Sequence, residues 1–206
     1  MKELFSQLRG AVMATLALAV VCCGLYPLIV FAIGQAAFHD QANGSLITDK
    51  DGTVRGSRLL GQGFTADKYF HPRPSAAGNG YDAANSGGSN FGPTSQKLYD
   101  AIKDRIAAYR KENGLKDTDP VPADAVTASA SGLDPHISPQ NAELQARRVA
   151  RARGLEVAPV RALIARHTDP ADFGVLGEPG VNVLELNLAL DAAARAAAPN
   201  AQAEGR

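Results

Sequence analysis

Several short stretches of this sequence carry residue types that do chemistry. Ser131-Gly132-Leu133-Asp134-Pro135-His136-Ile137-Ser138 puts a hydroxyl, a carboxylate and an imidazole close together, which invites a hydrolase reading. A catalytic triad is instead assembled from separated segments, with its serine on a strained turn beside oxyanion donors. Residues this close in sequence cap turns. Ser86-Gly87-Gly88-Ser89-Asn90 offers backbone amides that could cradle a phosphate of a nucleotide, but lacks the Gly-Lys-Ser/Thr ending of a P-loop. The four histidines, His39, His71, His136 and His167, share no metal-ligand spacing.

A second pattern points to DNA. Ala150, Gly154 and Val160 reproduce the small, turn and apolar spacing of a helix-turn-helix, with Arg147, Arg148, Arg151, Arg153, Arg161 and Arg166 around them. A membrane-anchored DNA-binding regulator is therefore the alternative function. Charge opposes it: the chain has 21 basic and 21 acidic residues, and setting aside Lys2, Arg9 and Glu3 leaves 19 against 20 in the remainder. A nucleic-acid coat needs basic excess, so no nucleic-acid partner is expected.

These residues need elements to hold them. Ser45 to Leu60 reads as strand, turn, strand around Asp51-Gly52. Residues 69 to 94 are dense in Gly, Pro, Ser and Asn and form a long loop, in which Arg73 between two prolines is a rigid anchor for a partner. A helix capped by Thr94 or Ser95 runs to about Asn113, with Leu98, Ile102, Ile106 and Tyr109 on one face. Ala125 to Ala130 is expected as a short strand. Ser138-Pro139 starts a helix that Gly154 stops, and another follows over Pro159 to His167. Val181 to Leu190 alternates leucines as a half-buried strand would and could also run into a helix, and residues 192–206 are expected as a flexible tail.

Ahead of all this, Ala11 to Ile33 is an unbroken run of apolar or small residues, and the chain has no charge between Arg9 and Asp40. At about 1.5 Å per residue it spans roughly 34 Å, enough for a hydrocarbon core near 30 Å. A cleaved signal peptide, with cleavage after Ala36, is the competing reading, but its apolar region normally covers only about 7 to 15 residues. Lys2 and Arg9 precede the run and Asp40 follows it, which places residues 1–10 in the cytoplasm and a domain over 38–191 outside. Gly10, Ala14, Ala17, Val21 and Gly24 form a stripe of small residues, a device for close packing against another membrane helix. Pro27 removes one helical hydrogen bond and could kink the outer half. The fold class expected is an α/β (α+β) extracytoplasmic domain anchored by one N-terminal transmembrane helix.

Blocks along the chain also carry a family likeness: Gly24-Leu25-Tyr26-Pro27, Gln41-Ala42-Asn43-Gly44-Ser45, Arg73-Pro74-Ser75, Ser86 to Asn90, Ser129 to Ser138, Gln145, Arg148-Val149-Ala150 and Val181 to Asn187. In content and order they resemble the C subunit of the Kdp potassium-transporting ATPase. The resemblance implies a single-pass, non-catalytic subunit of a high-affinity potassium importer in the bacterial plasma membrane, assisting assembly. It further implies a channel-like potassium-translocating subunit, a P-type ATPase catalytic subunit and a small single-helix subunit as partners. ATP and K+ then act on the complex, with no cofactor bound directly by this chain, although the family is credited with raising ATP affinity through a loop resembling residues 86–96. An extracytoplasmic domain meets no ATP pool. Asp49-Lys50-Asp51-Gly52-Thr53 comes within one residue of the Asp-Lys-Thr-Gly-Thr phosphorylation sequence of P-type ATPases, but the rest of the chain is too short for the domains that sequence needs. Arg73, Asp134, His136 and Asn182 are the candidates for a partner surface.

Overall fold

The computed structural model describes residues 2–203. The chain forms two compact units, Met1–Val54 and Arg55–Arg206. In the first, helix α1 (Lys2–Ala19) passes through a π-helical stretch, Val20–Leu25, into α2 (Tyr26–Ala37). Together they give one helix, Glu3–Ala37, long and apolar enough to cross a membrane, with no buried residue in Val20–Ala37. The π turn has a local cause. Pro27 has no N–H, and its ring would press on the carbonyl four residues back. Ahead of it the Tyr26 N–H bonds the carbonyl of Val21, five residues away, which widens the helix by one residue just before the ring. The proline expected to bend the helix is thus accommodated by a π turn.

After Phe38 a single helical turn, α3 (His39–Ala42), leads to strands β1 (Leu46–Thr48) and β2 (Val54–Ser57). They flank the expected turn, where Gly52 has φ +83° and Asp49 N–H donates to the Thr53 carbonyl at 2.9 Å.

The second unit is built on a small antiparallel sheet, β3 (His136–Ile137), β5 (Gly180–Asn182) and β4 (Thr168–Asp169), with β5 in the centre. Val181 sits opposite Ile137 on one side and Thr168 on the other. Helices α4 (Gln96–Asn113), α5 (Ala123–Val126), α6 (Pro139–Arg153), α7 (Val157–Arg166) and α8 (Val183–Ala203) complete it. Residues from α6, α7, α8 and β5, including Ala146, Val149, Val160, Val181, Leu186 and Leu190, bury a single core around Phe70. Each fully buried leucine contributes roughly 1.5–3 kcal/mol by leaving water.

Helix α6 starts and stops as expected: Ser138 Oγ accepts the Asn141 N–H at 3.1 Å, Pro139 occupies the first turn, and Gly154 ends it at φ +64°. α4 ends at Gly114 in the same left-handed conformation. α7 begins at Val157, two residues earlier than expected, because Pro159 fits within a first helical turn that lacks intrahelical donors anyway.

Ala125–Ala130 does not form the expected strand, and Val181–Leu190 takes the second of its two expected forms, a strand that runs into a helix. Ala125–Ala130 contains the end of α5, whose Asp124 carboxylate is drawn to the start of α6 by Ser138 N–H at 2.8 Å, Ser138 Oγ at 2.9 Å and Asn141 Nδ2 at 2.9 Å. Val181–Leu190 is a strand only through Asn182. There Asn182 Oδ1 accepts the Glu185 N–H at 3.1 Å and caps α8, whose buried Val183, Leu186, Asn187 and Leu190 follow the helical period. Helix α8 continues to Ala203, across the stretch expected as a tail; residues 204–206 lie outside the described residues.

Candidate functional site

The loop that carries Arg73 has no strand beside it, so its buried backbone groups need other partners. Side-chain amides supply them. Asn187 of α8 accepts the Phe70 N–H at 2.8 Å and donates to the Phe70 carbonyl at 3.0 Å. Gln145 of α6 does the same for His71, at 2.7 and 3.1 Å. Arg148, one turn further along α6, donates Nη1 to the carbonyls of Asp67 and Tyr69 at 2.7 and 3.0 Å and Nη2 to Gln145 Oε1 at 2.7 Å. Burial draws its guanidinium pKa down, and Glu112, 3.3 Å away, opposes that. For the Glu112 carboxyl, burial pushes upward but is outweighed by the 2.7 Å contact with His71 Nδ1 and the charge of Arg148, so its pKa falls below the usual range.

Beyond this clamp, the loop folds against residues 129–134. Ser75 Oγ donates to the Gly132 carbonyl at 2.7 Å and accepts the Tyr81 N–H at 2.9 Å, while Tyr81 Oη donates to the Arg73 carbonyl at 2.6 Å. The Tyr81 phenol is held protonated well above its usual range, first by burial and then by Asp134, with Arg73 opposing. Gly132 is required here: it has φ +69°, and a Cβ would lie 2.7 Å from Ala77 N and 2.8 Å from the Gly87 carbonyl.

Three expected surface residues come together on the outside of this assembly. Arg73 Nη1 donates to Asp134 Oδ2 at 2.7 Å, Asp134 Oδ1 accepts the His136 N–H at 3.0 Å, and His136 Nε2 lies 3.2 Å from Asp169 Oδ2. An open cavity of about 560 Å³ lies on one side, lined by Leu59, Arg73, Ser129 and Asp134 among others. Another of about 580 Å³ lies beyond His136. Asn182 does not join them. It is 1% exposed and, besides capping α8, donates to the Arg58 carbonyl at 3.0 Å.

The other constellations have structural partners. Ser131 Oγ accepts the Leu133 N–H at 3.1 Å, and His136 turns to Asp169 rather than to this hydroxyl. In the segment Ser86-Gly87-Gly88-Ser89-Asn90, Ser86 Oγ and the Gly87 N–H both donate to the Ser131 carbonyl at 2.9 Å, and a Cβ on Gly88 would lie 2.8 Å from the Ala130 carbonyl. The Gly87 amide expected to face a phosphate is turned onto the protein's own backbone. Of the arginines around the helix-turn-helix spacing, Arg148 is buried, Arg153 pairs with Asp191 at 2.9 Å and Arg161 pairs with Glu143. Charge at three of the six arginines expected to meet DNA is therefore engaged within the chain. In the membrane-length helix, the π turn follows Ala17 and contains Val21 and Gly24, so Gly24 is rotated about the axis relative to Gly10, Ala14 and Ala17.

Sequence reasoning gave no structural role to Asn187, Gln145 or Asp124. Their signal was present: Asn141, Gln145 and Arg148 are polar residues on the inward stripe of α6, a placement that demands buried partners.

Residues 8–192 match the family described as KdpC, the c chain of the K+-transporting ATPase. The chain is 57% identical over 185 residues to the potassium-transporting ATPase KdpC subunit of Mycobacterium tuberculosis, covering 90% of this chain and 97% of that one. It is 52% identical over 190 residues to the protein of that name from Koribacter versatilis, covering 92% and 94%. The corresponding subunit of Nitratidesulfovibrio vulgaris is 54% identical over 187 residues, covering 90% and 94%.

Proposed function

The chain belongs to the KdpC family of K+-transporting ATPase c chains, and on that premise we propose that it is an accessory subunit which helps assemble and stabilise a potassium-importing complex. The carrying observation is the apolar helix Glu3–Ala37, none of whose most apolar stretch is buried within the chain. Side chains of that kind need lipid or other helices around them. The stripe Gly10, Ala14, Ala17 and Val21 suits a neighbouring helix, and the face around Arg73, Asp134 and His136 suits contact with an external part of the same complex. The channel-like subunit, the catalytic subunit and the small single-helix subunit implied by the resemblance are the proposed partners.

In this reading the protein sits in the bacterial inner membrane with its N-terminus inside and the unit Arg55–Arg206 outside. The short loop around Ser86 to Asn90 then stiffens the partner face, and ATP and K+ are handled by the other subunits. Purification of the full chain in mild detergent, with bound proteins identified, tests membership: recovery of the transport subunits is expected, and their absence overturns the reading. Reporter fusions before Lys2 and after Ala203 test the orientation. A C-terminus found in the cytoplasm contradicts it.

A further inference from the structure

The segment after β4 turns back on itself at Asp172–Leu176. Asp172 N–H donates to the Leu176 carbonyl at 2.8 Å, and Leu176 N–H donates back at 2.9 Å. Between them Phe173 and Gly174 both have left-handed backbones, φ +52° and +76°, a reversal whose first position is normally Asn, Asp or Gly. A bulky residue there is strained. Its ring gains nothing inside the chain, since Phe173 is 94% exposed, with Val175 at 80% and Leu176 at 58%. Three large apolar side chains on one tight turn, one of them in a disfavoured backbone state, call for something outside the chain to cover them.

The surroundings say what. The cavity of about 580 Å³ beneath the turn is lined by His136, Asp169, Asp172, Phe173 and Glu178 among others, and no Lys or Arg is among its described lining residues. Such a collar repels anionic lipid headgroups and attracts basic side chains. We propose that Phe173, Val175 and Leu176 form a docking finger for a partner subunit, inserted into an apolar recess bordered by Lys or Arg whose cationic group enters the acidic cavity. This rests on the subunit reading above and adds its contact chemistry. The cavity adjoins the Arg73, Asp134 and His136 face through His136, so finger and face form one surface.

The test places the photoreactive residue benzoylphenylalanine at position 173 of the full chain, expressed with the other transport subunits and irradiated in native membranes. A crosslink to a transport subunit, within a few residues of a Lys or Arg, is expected. Adding Asp172→Lys and Glu178→Lys, both at exposed side chains, should lower its yield at least about fivefold, as for charge pairs lost across an interface. Crosslinking to lipid alone, to a second copy of this chain, or to nothing overturns the finger, as does a yield unchanged by the two lysines. Co-purification of the unsubstituted chain separates the two ideas. If the transport subunits are recovered and the crosslink fails, only the finger falls; if they are not recovered, the subunit reading falls with it.

Discussion

Asn187 bonds both backbone groups of Phe70 across 117 positions of sequence, at 2.8 and 3.0 Å, in the way a neighbouring strand would. Phe70 itself is fully buried. Replacing Asn187 with leucine keeps the branched outline, adds bulk and strands an N–H and a carbonyl in the core. A loss of roughly 2–4 kcal/mol is expected, since each orphaned buried group costs about 1–3 kcal/mol. Thermal or denaturant unfolding of the detergent-solubilised chain measures it, and a loss under about 1 kcal/mol contradicts the strand-like role.

Gly132→Ala adds one carbon where the backbone at φ +69° disfavours it and where Ala77 and Gly87 leave no room. Destabilisation of at least about 1–3 kcal/mol should follow from the strained backbone alone. Protease should then cut within residues 75–90 sooner than in the parent, because Ser75 and Ser86 both bond to this segment. An unchanged cleavage pattern counts against the packing described.

Acid should weaken the clamp on the Arg73 loop. The Glu112 carboxyl has a lowered pKa in the folded chain, so its contribution to stability is complete above the ordinary carboxylate value of about 4.3 and disappears as pH falls through the lowered one. Glu112→Gln should be less stable than the parent at pH 7, with the gap closing below about pH 4. A gap that stays constant over that range rules out the assignment.

Gly24→Leu fills a small site on the membrane-length helix, and loss of subunits during detergent purification is expected. Pro27→Ala probes the π turn beside it: a regular helix should re-form and turn the small residues before Val20 relative to the segment from Tyr26 onward. Cysteine crosslinks from positions 28–37 to partners should then change identity. Unaltered crosslinks and full subunit recovery together refute a role for this region in packing.

Arg73→Ala breaks the 2.7 Å pair with Asp134 on the proposed face. Both side chains are about a quarter exposed, so water screens the pair and the loss in stability should stay near or below about 1 kcal/mol. Partner recovery is the sensitive measurement and should fall more than stability does. The reverse ranking assigns Arg73 a purely structural role.

What could be read from the sequence was what local chemistry decides. Ser138-Pro139 and Gly154 bound α6 because capping and positive φ act within a few residues, and the charge-free run before Asp40 reads directly as a membrane-length helix. The leucines from Val181 to Leu190 left strand and helix both open because alternation and the helical period overlap in so short a run, and the deciding bond, Asn182 to Glu185, is a cap inside it. The meeting of Arg73, Asp134 and His136 depends on Ser75, Tyr81 and Gly132 fastening two loops over 50 residues apart, and no local rule joins them. Asn182 was placed on the surface when its polarity serves a buried corner.

The position of α8 and β5 bears on how the chain becomes a protein at all. The central strand and the helix carrying Asn187 are synthesised more than a hundred residues after Phe70. Until residue 190 is available the sheet lacks its middle and the loop lacks its clamp, so closure of the unit waits on long-range contacts. A chain stalled or clipped before Val181 should persist as unfolded substrate for proteases, attached to an intact membrane-length helix. Arrival of α8 is therefore the step at which the backbone of Phe70 gains its partners.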